Sequence, residues 1–264
     1  ALAGRGRMSD PDRIEGAFRI AAHAHAGQRR SDGSPYLKHP VAVARILVEE
    51  WRVEDPDLVV AALLHDTVED SPLTLDEVES SFGPRVRELV DALTKPKSVG
   101  GEGEDKAAKS RAYFEKLRQA PKGAVIVKAA DRVSNLRDVL SARWPEEKKR
   151  AYVAEALDAI LPIVRERASA QVAKALEDTA RETLARLDRG EGDVPDVGPT
   201  EAAHAPAEED PLLRRSSYVS FFRRAADVFL YHDIIGDIMQ LHEKVIGFID
   251  HFACLLYTSP SPRD

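Results

Sequence analysis

The strongest constraint on the fold of this chain is an apolar run that ends abruptly in charged residues. Residues 58–64 read Leu-Val-Val-Ala-Ala-Leu-Leu, and the next six are His-Asp-Thr-Val-Glu-Asp. Burying this many polar groups beside an apolar run costs free energy unless the groups are paired or bind a metal. If the segment ends a helix, His65 with Glu69 and Asp66 with Asp70 each share one helix face. The pattern therefore indicates either a solvated acidic helix end or a metal site, and a metal site needs ligands elsewhere.

Composition narrows the class of protein. The chain has 264 residues, of which 43% are hydrophobic and 31% charged, as is typical of a helix-rich globular protein. The net charge of −7 argues against nucleic-acid binding, which requires a basic surface. No uncharged apolar run reaches the roughly 20 residues that span a bilayer. Cys254 is the single cysteine, so the sequence predicts no internal disulfide and a reducing, cytoplasmic location.

Cap residues, prolines and glycines divide the chain into helices, and no segment alternates as a half-buried strand does. The sequence therefore predicts an all-α fold. Helices are predicted from Ser9 to about Ala26, from His39 through Leu47, from Asp55 into the charged segment after Leu64, after a capping box at Thr74 and Glu77, from Gly83 to Leu93, from Lys106 to Gln119, from Ala120 past Leu136, and from Pro145 to about Leu187 with a bend near Pro162.

Composition also predicts the organisation of the chain. Residues 9–188 form the helical domain, in which 95–105 are rich in glycine and charge and are interpreted as a mobile loop. Residues 189–215 are rich in Gly, Pro, Ala and acids, which predicts a linker. Helical periodicity returns in 216–252, a segment without an assigned role. Residues 253–264 resemble translated sequencing-adapter sequence and are interpreted as an artefact.

Two further residues are candidate partners for the His-Asp pair. His39 opens a helix after a polar loop, and Asp131 lies mid-helix between alanine and valine neighbours, where burial requires a reason. Two histidines and two aspartates suit Mn²⁺, Fe²⁺ or Zn²⁺ better than Ca²⁺, and they lack the thiolates of a structural zinc site. Taken alone, His39 could simply start a helix, and Asp131 could pair with Arg132 or Lys128.

The order of these residues and the words around them resemble a known family. His39, then His65-Asp66, then Asp131 is the order of the HD-domain phosphohydrolases. Over about residues 12–140 the chain resembles, more narrowly, the hydrolase domain of the RelA/SpoT homologues. No synthetase domain follows, so the architecture is similar to the small alarmone hydrolases of the metazoan SpoT-homologue type. The matching words are AHAGQRR at 24–30, PYLKHP at 35–40, LHDTVED at 64–70, LTK at 93–95 and VKAADRVSNL at 127–136.

The resemblance implies an HD-domain helical bundle around a single metal ion, Mn²⁺. It implies hydrolysis of the 3′-pyrophosphate of the alarmone (p)ppGpp, a guanosine nucleotide, to GDP or GTP and pyrophosphate. Glu69 and Asp70 match the family's Glu-Asp pair, which activates and orients the attacking water. The implied metal ligands are His39, His65, Asp66 and Asp131.

Five residues are implied in substrate binding. Arg30 matches an arginine near the nucleotide, Asn135 matches a ribose or phosphate contact, and Lys128 would reach anionic oxygens. Lys38 and Arg132 are interpreted as either substrate contacts or solvated charges. A homo-oligomer is compatible with the sequence, which does not decide the oligomeric state.

Two departures from the family pattern leave other functions open. Ser31 follows Arg30 where the family often has a second basic residue, and Ser134 stands where it often has His or Tyr. An alternative is therefore an HD-type phosphohydrolase acting on another nucleotide, such as NADPH or a nucleoside phosphate. A non-catalytic alarmone-binding module is a third reading, which the complete set of predicted ligands opposes.

Overall fold

The computed structural model describes residues 10–95 and 106–191 of the chain. Within these ranges every regular element is helical, apart from an isolated bridge between Arg29 and Pro35, so the predicted all-α fold is confirmed. The helices are α1 Asp10–Ala24, α2 Lys38–Arg45, α3 Pro56–Leu64, α4 Thr67–Asp70, α5 Leu75–Phe82, α6 Pro84–Leu93, α7 Lys106–Gln119, α8 Lys122–Asp138, α9 Glu146–Glu155, α10 Leu161–Arg167 and α11 Ala170–Asp188.

Helix α3 lies at the centre of the packing. The Asp55 side chain accepts a hydrogen bond from the backbone N–H of Asp57, and Pro56 occupies the first turn, where its missing N–H costs nothing. Residues 58–64 are then all buried, with at most 5% of any residue exposed. Helices α1, α2, α6 and α8 contact α3, so the apolar run forms the core and its end, at Leu64, places the next residues inside the bundle.

The predicted long helix after Pro145 is interrupted twice. A π-helical turn, Ala156–Ile160, joins α9 to α10, and Pro162 at the second position of α10 lacks the N–H that would continue the regular ladder of hydrogen bonds. Ala168 is extended, and the Ser169 side chain accepts from the backbone N–H of Val172 to cap α11. The prediction of a single bent helix was therefore wrong about the break at Ala168.

Several local predictions are confirmed, and others fall outside the described residues. The capping box of Thr74 and Glu77 is present at the start of α5. Helix α1 ends at Ala24, two residues before the predicted end, and Gly27 follows with a φ of +77°. The chain divides into two units, Ala1–Val194 and Pro195–Asp264. The described residues belong to the first unit, and the predicted loop beyond Lys95, most of the linker, the 216–252 segment and the proposed artefact lie outside them.

Candidate metal centre and active site

The charged segment after α3 does not continue that helix. α3 ends at Leu64, and a separate one-turn helix, α4, begins at Thr67. The spacing predicted a shared helix face for His65 with Glu69, and for Asp66 with Asp70, on the condition that one helix runs through the segment. The structure does not meet that condition, because the helix is interrupted between Leu64 and Thr67. The backbone N–H groups of Glu69 and Asp70 donate to the carbonyl of Asp66, which fixes the turn that redirects the chain.

Three helices bring histidine and aspartate side chains to one buried point. His39 comes from α2, His65 from the end of α3 and Asp131 from α8, and their ligand atoms all lie within 4.8 Å of one another. The His39 Nε2 atom is 3.2 Å from His65 Nε2 and 3.0 Å from Asp131 Oδ1. Asp66 joins from the side, since its Oδ2 lies 3.1 Å from His65 Nε2 and 3.9 Å from His39 Nε2. The structure thus brings together all four predicted ligands.

The outer nitrogens of both imidazoles are already engaged. His65 Nδ1 lies 2.8 Å from the carbonyl oxygen of Ala62, which can only accept, so Nδ1 carries the proton. His39 Nδ1 lies 3.2 Å from Ser134 Oγ. Once Nε2 has lost its proton, the His65 ring therefore turns the lone pair of Nε2 toward the cluster, the arrangement in which histidines ligate metals. Ser134, one of the departures from the family pattern, contacts a predicted ligand.

Charged neighbours keep the carboxylates of the cluster ionised. Lys128 Nζ donates to Asp131 Oδ2 at 2.7 Å, and Asn135 Nδ2 donates to Asp131 Oδ1 at 2.6 Å. Burial opposes ionisation of Asp131, yet Lys128 and the histidines outweigh it and hold its pKa well below the ordinary value. Burial also opposes ionisation of Asp66, and there His65 outweighs it and lowers the pKa. Two ionised carboxylates facing two imidazoles form a donor set suited to a divalent cation.

The two histidines differ in their affinity for a proton. Burial dominates at His39 and lowers its pKa, although Asp131 opposes that shift. Burial acts in the same direction at His65, but the adjacent Asp66 and then Asp131 outweigh it and raise its pKa to about 9. A metal binding at this point therefore competes with a proton on His65 near neutral pH.

The predicted catalytic pair lies on α4, beside the cluster. Glu69 Oε1 accepts from the backbone N–H of Lys95 at 2.6 Å, and Lys95 Nζ lies 3.4 Å from Glu69 Oε2. Asp70 Oδ2 is 3.9 Å from the Nδ1 atom of His25. Burial and the neighbouring Asp66 raise the pKa of Asp70, so this carboxylate holds a proton more readily than an exposed one.

A cavity of about 240 Å³ adjoins the cluster. Two residues connect the cavity to the metal ligands: Tyr36, whose hydroxyl donates to Asp66 Oδ2 at 2.5 Å, and Asn135, which donates to Asp131. Arg30 donates to Asn135 Oδ1 at 2.8 Å and lies 3.2 Å from Asp138 Oδ2. The lining residues are Arg29, Arg30, Ser31, Tyr36, Asn135, Asp138, Val139, Ala142, Trp144 and Tyr152.

Three residues predicted to contact substrate do not line this cavity: Lys38, Lys128 and Arg132. Arg132 is buried, donates to Glu155 Oε1 at 2.6 Å and lies 4.0 Å from the Tyr152 ring centroid, so it ties α8 to α9. Lys128 is committed to Asp131 and thereby orients a predicted metal ligand. Lys38 is exposed at the first position of α2. Of the five predicted contacts, Arg30 and Asn135 are those that line the cavity.

Sequence reasoning missed the aromatic wall of the cavity. Neither Trp144 nor Tyr152 is among the site residues that the sequence predicts. Their ring centroids lie 5.7 Å apart at an interplanar angle of 68°. The one signal that was available is a tyrosine shortly after the run of five charged residues, 146–150, that begins α9.

An all-helical fold that gathers two histidines and two aspartates beside a polar cavity belongs to the class of metal-dependent phosphohydrolases. A family model described as "HD domain" matches residues 17–182. Because this match covers more than half of the sequence, the chain belongs to the HD-domain family.

Curated relatives and a solved structure are consistent with that assignment. The mouse protein named guanosine-3′,5′-bis(diphosphate) 3′-pyrophosphohydrolase MESH1 is 44% identical over 138 residues, which cover 50% of this chain and 74% of that protein. The human protein of the same name is 40% identical over 168 residues, covering 62% and 84%. The bifunctional (p)ppGpp synthase/hydrolase SpoT of Escherichia coli K12 is 35% identical over 175 residues, covering 65% and 24%. A structure described as "A metazoan ortholog of SpoT hydrolyzes ppGpp and plays a role in starvation responses" aligns with a TM-score of 0.59 and 30% identity over 67% of this chain and 97% of that one.

Proposed function

We propose that this protein hydrolyses the 3′-pyrophosphate of (p)ppGpp and releases GDP or GTP together with pyrophosphate. The observation that carries the proposal is that the cluster of His39, His65 and Asp131, with Asp66 beside it, is linked through Tyr36 and Asn135 to a cavity lined by Arg29 and Arg30. Guanidinium groups are the side chains best suited to phosphate oxygens, and they give an acidic protein a local cationic site. Relatives named for this reaction share 40–44% of their residues with the chain over the aligned regions.

The cluster is proposed to hold one Mn²⁺ through His39, His65, Asp66 and Asp131. Nitrogen and oxygen donors without thiolate suit Mn²⁺, Fe²⁺ and Zn²⁺, and family resemblance favours Mn²⁺ among them. When bound, such an ion supplies acidification of water and neutralisation of phosphate charge.

The chain's own residues perform the remaining steps. Glu69 accepts a proton from the attacking water, and Asp70 orients that water toward the phosphorus attached to the ribose 3′ oxygen. The bond between that phosphorus and O3′ breaks, O3′ takes the proton that Glu69 received from the water, and pyrophosphate leaves. Trp144 and Tyr152 supply flat apolar surfaces for the purine base, while Arg29 and Arg30 bind the phosphates of the nucleotide.

The test is release of pyrophosphate from ppGpp by the purified chain with and without Mn²⁺, beside Asp66→Ala. The proposal requires GDP and pyrophosphate that depend on the metal and disappear in the variant. Bound metal without turnover of ppGpp would contradict the assigned reaction. Replacing Mn²⁺ by Fe²⁺, Zn²⁺ or Ca²⁺ in the same assay tests the identity of the ion.

Ser31 lines the cavity where the family often has a basic residue, and this observation supports a second candidate substrate class. NADPH and nucleoside phosphates carry fewer phosphate charges than (p)ppGpp, so they require less positive charge from the protein at position 31. A panel of these compounds beside ppGpp distinguishes the two, because a higher kcat/KM for any of them would replace (p)ppGpp as the substrate.

The setting of the reaction is part of the proposal. Within the described part of the chain, no helix combines the length and apolar character that crossing a membrane requires. The single cysteine and the nucleotide substrate support a cytoplasmic location.

Gel filtration with light scattering would determine whether the protein acts as a homo-oligomer.

A further inference from the structure

The segment between α1 and α2, residues 25–36, contacts both the metal cluster and the cavity beside it. We name this segment the strap. Its backbone closes on itself, because the N–H of Tyr36 donates to the carbonyl of Gln28 at 3.0 Å and Arg29 pairs with Pro35. The two ends of the strap are therefore fixed relative to each other, and side chains from both ends reach the catalytic region.

The hydroxyl of Tyr36 contacts the carboxylate that completes the cluster. It lies 2.5 Å from Asp66 Oδ2, and the same oxygen lies 3.1 Å from His65 Nε2. An ionised carboxylate only accepts hydrogen bonds, so Tyr36 is the donor. This bond limits the rotation of the Asp66 carboxylate and keeps Oδ2 turned toward the histidines.

The other end of the strap supports the Tyr36 ring. The His25 ring packs against it, with centroids 4.7 Å apart and an interplanar angle of 33°. His25 is only 3% exposed, and its Nδ1 atom lies 2.9 Å from Gln28 Oε1. Its Nε2 atom is buried without a hydrogen-bond partner in the described residues. An orphaned polar atom costs free energy that a leucine would not, so stability alone does not account for a histidine here.

We propose that Tyr36 is a positioning residue that holds Asp66 in place as a metal ligand, and that His25 holds the Tyr36 ring. The inference rests on the metal site of the proposed function. Hydrogen-bond partners of ligating groups typically contribute 10- to 100-fold to metal affinity or activity. Tyr36 thus acts through Asp66 and contributes to metal binding without ligating the metal itself.

Tyr36→Phe in the full chain tests this role, because it removes the hydroxyl and keeps the ring. Titration of Mn²⁺, followed by the electron paramagnetic resonance of the free ion, should show a dissociation constant about 10- to 100-fold higher than wild type. The matched control is Thr179→Val, which also removes a hydroxyl while keeping side-chain volume, here one that donates to the carbonyl of Ala175 on α11 at 2.8 Å, and it should leave Mn²⁺ affinity unchanged. Wild-type affinity in Tyr36→Phe would overturn the proposal.

His25→Leu tests the supporting half of the inference. It should weaken Mn²⁺ binding less than Tyr36→Phe, and the double variant should bind no more weakly than Tyr36→Phe alone, because both act through one contact. Additive losses would overturn the role of His25. Absence of Mn²⁺ binding by the wild type would overturn the metal site and this proposal together. Metal binding without ppGpp hydrolysis would overturn only the assigned reaction.

Discussion

The carboxylate of Glu69 is held by Lys95, which is not a predicted metal ligand. A substitution at Glu69 should therefore change the rate of turnover and not the affinity for metal. The backbone N–H of Lys95 donates to the Glu69 carboxylate, and a glutamine side-chain oxygen can still accept that bond. We expect Glu69→Gln to leave Mn²⁺ affinity unchanged and to slow turnover about 10²-fold or more, because an amide cannot take the proton of water. Steady-state kinetics on ppGpp and a Mn²⁺ titration measure the two quantities.

Glu88→Gln is the matched control for that substitution. Glu88 is exposed on α6 and takes no part in the described site, so the variant should keep wild-type kcat. Turnover in Glu69→Gln equal to that of the control would remove Glu69 from the mechanism.

At the scale of the helices, the site depends on the close approach of α8 to α3. Gly123 makes this approach possible, since a Cβ built there would lie 3.0 Å from a methyl carbon of Leu58 and 3.0 Å from one of Leu89. Asp131 and Asn135 follow on the same helix. The crossing therefore sets the distance between the α8 side chains and the end of α3.

Gly123→Val should lower the free energy of unfolding by about 1–3 kcal/mol, because a larger side chain overpacks this crossing. Gly16→Ala is the control, since a Cβ on Gly16 of α1 would lie an ordinary 3.7 Å from the Phe82 ring. That substitution should raise stability by about 0.5–1 kcal/mol through helix propensity. Urea unfolding measures both, and a Gly123→Val variant as stable as wild type would refute the close-packing argument.

For the whole molecule, a metal shared by residues from three helices should link binding to stability. A ligand that binds only the folded state stabilises it by about 2.7 kcal/mol at 100 times its dissociation constant. We therefore expect Mn²⁺ to raise the Tm and a chelator to reverse the change, measured by scanning calorimetry. Ca²⁺, which prefers all-oxygen sites, should have a smaller effect. An equal Mn²⁺-induced shift in Asp66→Ala would place the metal elsewhere.

The position of the site residues also predicts the result of truncation. Every candidate ligand, catalytic residue and substrate contact lies between Arg29 and Tyr152, and α11 ends at Asp188. A chain ending at Val194, the boundary of the first unit, should retain Mn²⁺-dependent turnover within about twofold of the full chain. The assay is the same pyrophosphate release, and loss of turnover despite a wild-type circular dichroism spectrum would assign a catalytic contribution to Pro195–Asp264.

The sequence by itself determined the fold class, because cap residues, prolines and glycines divide the chain into segments of helix length and no segment alternates as a half-buried strand does. It also determined which side chains gather: the order of His39, His65-Asp66 and Asp131 suffices when a family pattern specifies their roles. The helices follow from spacing and residue chemistry that can be read from short stretches of chain, whereas the gathering of these distant side chains follows from the family pattern.

Tertiary structure alone decided how those side chains are used. Lys128 and Arg132 look alike as basic residues on one helix, yet one neutralises Asp131 and the other binds Glu155. Tyr36, Trp144 and Tyr152 surround the site only because the strap, the α8–α9 connection and α9 return to it. Contacts in the site join residues up to 105 positions apart, as between Arg30 and Asn135, so no local pattern encodes them. The packing of one helix against another sets which neighbour each side chain meets.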